Sequence, residues 1–454
     1  MRRPRIRELV PFLEPARLAE AFSTTGLTLV GKSAGFLVPL FIASWFGVSA
    51  GTDAFFFAYG AILFLAGVFG PVLEVVVPFV AESRGHSEDL GRFMSRLLAT
   101  ATVVVLLASV AFVLVLVAVL PVITRFGPGG LSLVVRLVLE TSPLAILLLW
   151  TSVLSGYLNA YRAFAAPAMA PAARAAVNLC CILLLKGSLG VHALPLGYIV
   201  GEAARLVVLS FVVWRRAPFR FRPVFRVDAR LAEFYRTSAY PVAGMVWMLM
   251  NPVVDSAMAT WLAPGSVSVL RYAENLYMIP FSLFTGGLVT VLLAHWSASY
   301  YGTGRAGFEQ DVNRSARSVF WLAVPVAGIL IAANRPLAGL FLAHGSFDPG
   351  KLGDVATAWA CYLTGLPAHA MAQLQVKALL VLKRTRVLMM CALFVVGLNI
   401  ILNLALMNVL GVAGITLATA GTSVASALYL GRGLKVAFAE AAVVGGGGHA
   451  VRAD

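Results

Sequence analysis

Long apolar runs, broken by short polar stretches, repeat along the chain from residue 24 to residue 436. A helix that crosses the hydrocarbon core of a bilayer needs about 20 mostly apolar residues. The runs that meet this length predict spans at 24–47, 53–81, 93–121, 132–158, 166–187, 191–214, 234–262, 267–298, 316–342, 353–381, 387–409 and 412–436. The pattern predicts an all-α polytopic membrane protein of about twelve transmembrane helices.

The breaks between runs are not equivalent. Arginine and lysine gather in every second one: Arg84, Arg92 and Arg96; Arg162; Arg215, Arg216, Arg220, Arg222, Arg226 and Arg230; Arg305 and Arg314; Lys383, Arg384 and Arg386; Arg432 and Lys435. The intervening breaks hold little beyond Arg125, Lys186 and Lys351. Short loops rich in lysine and arginine stay on the cytoplasmic side, so both termini are expected in the cytoplasm. The chain then divides into a lead-in (1–23), a first lobe of six spans (24–214), a basic linker (215–232), a second lobe of six spans (233–436) and a tail (437–454).

The lobes carry a trace of duplication. Tyr161 and Arg162, then Asn178, then Gly190 and Val191, align at an offset of 221 with Leu382 and Lys383, then Asn399, then Gly411 and Val412. Near an offset of 215, Trp45–Tyr59 weakly echoes Trp261–Glu274. Six spans return the chain to its starting side, so the repeats are parallel and related by a pseudo-two-fold axis along the membrane normal. Transporters in which two bundles rock about a central cavity share this plan.

Composition agrees: 60% of the 454 residues are hydrophobic, 12% are charged, and the mean hydropathy is +0.88. The net charge of +15 would suggest nucleic acid in a soluble protein, but here it is distributed among alternate loops, and no nucleic-acid partner is expected. Cys180, Cys181, Cys361 and Cys391 lie in apolar runs without metal or redox spacing and are read as packing residues. No GxxxxGK[ST], HExxH or GxSxG motif is present. His295, His344 and His369 stand singly, so no enzyme is expected. The first residues are basic, but Pro4, Glu8, Pro11, Glu14 and Pro15 fall where a signal peptide needs an apolar core.

An ionisable side chain at mid-bilayer costs roughly 3 kcal/mol or more, so those inside the runs require reasons. Arg136 with Glu140, Glu202 with Arg205, and Arg271 with Glu274 stand three or four residues apart and suit intrahelical ion pairs. Arg174 lies in a Pro- and Ala-rich stretch near a span end, where snorkelling to the interface suffices. Glu74 and Glu140 are further candidates, whereas Lys32, Asp255 and Lys377 lack oppositely charged neighbours in sequence. Lys32 suits an anionic substrate group such as phosphate. Asp255, the Asn399 and Asn403 pair one helical turn apart, and Thr419 form an all-oxygen set that suits inter-helix hydrogen bonds first and, as the alternative, a monovalent hard cation.

At these residues the chain resembles a known family, the MurJ/MviN lipid II flippases of the multidrug/oligosaccharidyl-lipid/polysaccharide exporter superfamily. GTDAFFFAY (51–59) resembles the family's TDAFF motif, and GSVSVLRYAENL (265–276) followed by Pro280 resembles its entry into the eighth helix. LFLAHGSF (340–347) is similar to its LF-x-x-G-x-F, and Asn399–Thr419 resembles its closing repeat.

The resemblance implies a flippase of the bacterial inner membrane that moves the peptidoglycan precursor lipid II from the inner to the outer leaflet by alternating access. A lipid-linked saccharide diphosphate, membrane lipids and cell-envelope synthesis proteins would be its partners. It implies a sodium ion held by Asp255, Asn399, Asn403, Ile415 and Thr419. The candidate substrate-binding set is Lys32, Asp53, Arg205, Arg271, Glu274, Asn275 and Lys377.

The departures lie in the diphosphate cradle. Lys32 replaces the first arginine of the family's first helix and Val38 falls near the second. Ala66 and Gly67 fall near the second-helix arginines, and Asn275 aligns with that of the eighth. Many members carry fourteen spans, against twelve here. These differences keep three other readings open: a flippase for another lipid-linked exopolysaccharide or O-antigen unit, a cation-coupled multidrug exporter, and a silent scaffold.

Overall fold

The computed structural model describes residues 31, 34–70, 76, 79–80, 87–216, 221–288, 296, 304–382 and 384–446, and every regular element among them is helical. In chain order these are α1 (Ala34–Phe46), α2 (Ala50–Val68), α3 (Ser87–Ile123), α4 (Pro128–Thr141), α5 (Pro143–Ala160), α6 (Ala165–Leu189), α7 (Ala193–Arg216) and α8 (Ala229–Met248). They continue as α9 (Met250–Ala259), α10 (Ser266–Ser282, ending in a π turn), α11 (Gly304–Ala332), α12 (Asn334–Leu342), α13 (Leu352–Thr364), α14 (Leu366–Val381), α15 (Thr385–Leu410) and α16 (Val412–Gly446).

Each of the twelve expected spans meets a helix or a pair of helices. Four are pairs, broken after Ser142 and at Leu249, Ala333 and Gly365. Proline follows two of the breaks, at Pro143 and Pro367, where the missing N–H makes a helix start inexpensive. Hydropathy could not show these breaks, because both halves are equally apolar.

The outward faces are those of a chain dissolved in lipid. Leu107, Leu114, Val122, Leu184 and Val409 are each at least 64% exposed. Apolar faces of this extent need a hydrocarbon solvent, and eight of the described stretches are long and apolar enough to cross one. Among the described residues the four cysteines are free thiols.

The described residues fall into two compact units. One comprises 31–271 with His344–Asp348, the other Tyr272–Ala343 with 349–446. The boundary lies inside α10, between Arg271 and Tyr272; the six-span lobes 24–214 and 233–436 remain a statement about the repeat. In the first unit, Phe55, Phe56 and Phe57 of α2 are buried at its core. The short segment 344–348 joins it through the Ser346 N–H, which donates to the Ser44 carbonyl at 2.6 Å.

The repeat reappears as backbone geometry. α6 turns into α7 at Gly190 (φ 55°, ψ −132°), and α15 turns into α16 at Gly411 (φ 58°, ψ −135°). These torsions are accessible to glycine and strained for residues with a Cβ. In both hairpins the helices touch closely: a Cβ on Gly201 would lie 2.7 Å from the Arg174 carbonyl oxygen, and one on Gly414 would lie 2.4 Å from that of Leu406. Asn178 and Asn399, matched at the offset of 221, are 1% and 0% exposed.

Candidate functional site

The α6–α7 hairpin is nearly symmetric about residue 188, so residues equally far from that point face each other. Arg174 and Glu202 are such a pair. Glu202 is fully buried and accepts from Thr151 Oγ1 at 2.6 Å and Arg205 Nη1 at 2.9 Å through Oε1, and from Arg174 Nη1 at 3.4 Å through Oε2. The expected Glu202–Arg205 pair is present. Arg174, expected to snorkel, instead reaches across the hairpin to the same carboxylate. Its side chain keeps 26% exposure and that of Arg205 keeps 16%.

Next to this cluster, the rings of Tyr59 on α2 and Tyr198 on α7 stand 4.4 Å apart. Arg174 and Arg271 both lie close enough to act electrostatically on the two phenols. Arg271 reaches α2 itself: a Cβ on Gly60 would stand 2.8 Å from its Nη2, so only a residue as small as glycine leaves room for the guanidinium. One on Gly35 of α1 would stand 3.7 Å from Arg174 Nη2. Arg174 and Arg205 on the one carboxylate, with Arg271 against α2, put three forked donors beside two phenolic hydroxyls. Forked N–H donors and hydroxyls are the groups that bind phosphoryl oxygens.

Asp53 has a different environment. Buried at 4% exposure, it accepts from the Gly265 N–H at 2.5 Å, the Ser268 N–H at 2.7 Å and Ser268 Oγ at 2.7 Å. Its carboxylate thus caps the N-terminus of α10, where unpaired N–H groups and the helix dipole favour an anion. α2 carries its own capping box, Ser49 with Thr52. Asp53→Ala is expected to cost about 2 kcal/mol through the lost cap. Thermal unfolding of purified protein checks this, and a variant that melts like wild type but has lost substrate binding would return Asp53 to the ligand.

The remaining candidates divide between the units. Asp255, 4% exposed on α9, belongs to the first. Glu274 and Asn275 on α10, Lys377 on α14, Asn399 and Asn403 on α15, and Ile415 and Thr419 on α16 belong to the second. Glu274, Asn275 and Lys377 are half-buried. Lys32 and Glu74 lie outside the described residues. In the second unit Asn399 and Asn403 lie on α15 and Ile415 and Thr419 on α16, the two helices of one hairpin. Asn403 Nδ2 donates to Asn399 Oδ1 at 3.1 Å, and Thr419 Oγ1 donates to the Ile415 carbonyl at 3.2 Å. Asn399, Asn403 and Ile415 are fully buried, and Asn399 Nδ2 has no hydrogen-bond partner among the described residues.

Two other sequence readings change or hold. Glu140 pairs with His192 at 2.8 Å rather than with Arg136 on its own helix. His369 is a packing residue, its ring centroid 4.2 Å from that of Phe281 and its Nδ1 2.9 Å from the Tyr277 hydroxyl. Sequence reasoning missed Thr151, Tyr59 and Tyr198, and undervalued Arg174. For Arg174 a signal existed, since reflection about the turn before Gly190 pairs it with Glu202.

Helices throughout the described residues, a repeated hairpin and a partly buried cationic cluster are the features of a multi-pass membrane transporter. Its fold is that of the two-lobed exporters. A solved structure of a lipid II flippase MurJ in an inward closed conformation superposes with a TM-score of 0.74 at 23% identity, covering 92% of this chain and 88% of that one. An inward-facing multidrug resistance MATE family transporter of the MOP superfamily gives 0.71 at 14% identity, covering 92% and 95%.

The family described as Lipid II flippase MurJ matches residues 42–444, and the chain belongs to that family. Curated relatives include the lipid II flippase MurJ of Burkholderia cenocepacia, 26% identical over 434 residues and covering 91% of this chain and 83% of the relative. The probable lipid II flippase MurJ of Thermotoga maritima is 25% identical over 421 residues, covering 90% and 84%.

Proposed function

We propose that this protein carries lipid II from the inner to the outer leaflet of the bacterial cytoplasmic membrane by alternating access, with both termini cytoplasmic. The family match across residues 42–444 carries this reading. The diphosphate is seated in the first unit by Arg271, Arg174 and Arg205 with the Tyr59 and Tyr198 hydroxyls, and by Lys32. These groups stand in for family arginines replaced here at Val38, Ala66, Gly67 and Asn275. The polyprenyl tail stays in lipid throughout, so only the polar head needs a cavity. The membrane potential, worth about 2.3 kcal/mol per charge per 100 mV, assists the return of a positively charged empty site.

In the second unit, Asn399, Asn403, Thr419 and the Ile415 carbonyl are proposed as ligands of a sodium ion. The set fits a hard cation in being all oxygen, and the buried Asn403 Oδ1 accepts no hydrogen bond among the described residues. A bound sodium would supply a positive charge whose occupancy couples to the transport cycle.

The test is complementation in cells depleted of their own lipid II flippase. Wild-type protein is expected to restore growth and clear lipid II from the inner leaflet, whereas Asn403→Ala, equally abundant, is expected to fall at least tenfold in flux. Persistent accumulation with stable wild-type protein would overturn lipid II as cargo and favour another lipid-linked glycan. Undiminished flux in Asn403→Ala would remove the cation site.

A further inference from the structure

The segment that joins α7 to α8 is built as a docking surface. Four residues, Phe221, Arg222, Asp228 and Arg230, pin its described part in the first unit. The Phe221 ring meets Trp150 edge-on at 5.2 Å, and the Arg222 N–H donates to Ser95 Oγ at 3.2 Å. Asp228 pairs with Arg96 and caps α8 by accepting from the Leu231 N–H at 2.9 Å. Arg230 donates to the Phe79 carbonyl at 3.2 Å and lies over the Phe93 ring. A linker held this firmly presents what it exposes by design of its sequence. It exposes Val224, Phe225 and Val227, at 38%, 69% and 55%, interleaved with the exposed Arg222 and Arg226.

The end of α7 leads into this surface. Val207, Phe211 and Trp214 follow helical spacing and are 67%, 53% and 65% exposed, which makes them a lipid-facing stripe. Arg215 folds back along it, its guanidinium 5.1 Å from the Phe211 ring and 5.4 Å from the Trp214 ring. Arg216 is exposed beside it. Apolar stems with a cationic head at the end of a lipid-facing stripe mark the headgroup level. The acid of the described linker, Asp228, is already committed to Arg96 and the α8 cap, so the exposed arginines face outward with no carboxylate of this segment to neutralise them.

We infer that residues 214–216 and 221–227 bind anionic phospholipid headgroups, with Arg215, Arg216, Arg222 and Arg226 taking the phosphates and Phe225 and Val227 dipping into the acyl boundary. A soluble polyanion would satisfy the arginines but leave the valines and Phe225 in water. A leaflet satisfies both. The inference is independent of the cargo.

The test uses the full chain in a neutral maltoside detergent, titrated with short-chain phosphatidylglycerol or phosphatidylcholine, with retained lipid counted by native mass spectrometry. Phosphatidylglycerol is expected to bind at least tenfold more tightly, and the preference is expected to shrink as salt rises. At about fivefold per arginine, R215Q/R222Q/R226Q is expected to lose roughly a hundredfold in affinity. Phe225→Ser, which removes no charge and none of the pinning contacts, is expected to lose about tenfold. The control R432Q/K435Q is expected to match wild type. Equal retention of the two lipids, or unchanged affinity in both the triple variant and Phe225→Ser, overturns the inference. So does an RNA oligonucleotide that displaces the lipid and binds Phe225→Ser as tightly as wild type.

Discussion

Glu202→Ala is expected to remove most folded protein from the membrane. Glu202 is fully buried and is the shared acceptor of Thr151, Arg205 and Arg174. Without it, two partly buried guanidiniums face each other with no counter-charge between them. Breaking a buried ion pair by deleting one partner costs about 3–5 kcal/mol, because the surviving charge stays desolvated. Glu202→Gln keeps the shape and the Thr151 bond and is expected to lose less. The double variant Glu202→Gln with Arg205→Gln is expected to recover part of the loss, since neutral replacements of a whole buried network approach neutrality. Thermal unfolding in detergent and fluorescence-detected size exclusion measure all three. A Glu202→Ala protein as stable as wild type would show that water, not Glu202, solvates these arginines.

The second large effect concerns transport rather than folding. Arg271→Gln is expected to lower lipid II flux about a hundredfold while leaving abundance near wild type. The guanidinium lies against Gly60 and acts on the Tyr59 and Tyr198 phenols, where a forked donor can take two phosphoryl oxygens. Hydrogen bonds to a charged partner contribute about 1.5–3 kcal/mol each, and each 1.4 kcal/mol is tenfold in flux at low substrate. Arg271→Lys keeps the charge and loses the fork, so an intermediate rate is expected. Gly60→Ala is the orthogonal probe, because its Cβ would stand 2.8 Å from Arg271 Nη2 and must displace the guanidinium without touching its charge. Flux read by leaflet-specific labelling of lipid II should fall in both. Wild-type flux in Arg271→Gln would place the diphosphate elsewhere in the first unit.

The candidate site was legible in parts. The Glu202–Arg205 pair was readable because residues three apart on a helix share a face. The Arg136–Glu140 pairing followed the same rule and failed, since His192, brought in by the turn at Gly190, offers Glu140 a closer partner. Asp53, grouped with the substrate residues by its motif, is occupied by the N-terminus of α10. A motif preserves a residue without saying whether its partner is ligand or backbone.

What the sequence determined by itself is what depends on local composition. The free energy of placing a segment in hydrocarbon is nearly a sum over its own residues, so the twelve spans could be read one at a time. The Gly190 and Gly411 turns were likewise marked, because their backbone torsions admit little else. Tertiary structure decided which charges on different helices meet. Arg174 and Glu202 are 28 residues apart in sequence and 3.4 Å apart in space. Coulombic and hydrogen-bonding energies depend on that second distance, which exists only once the hairpin has closed.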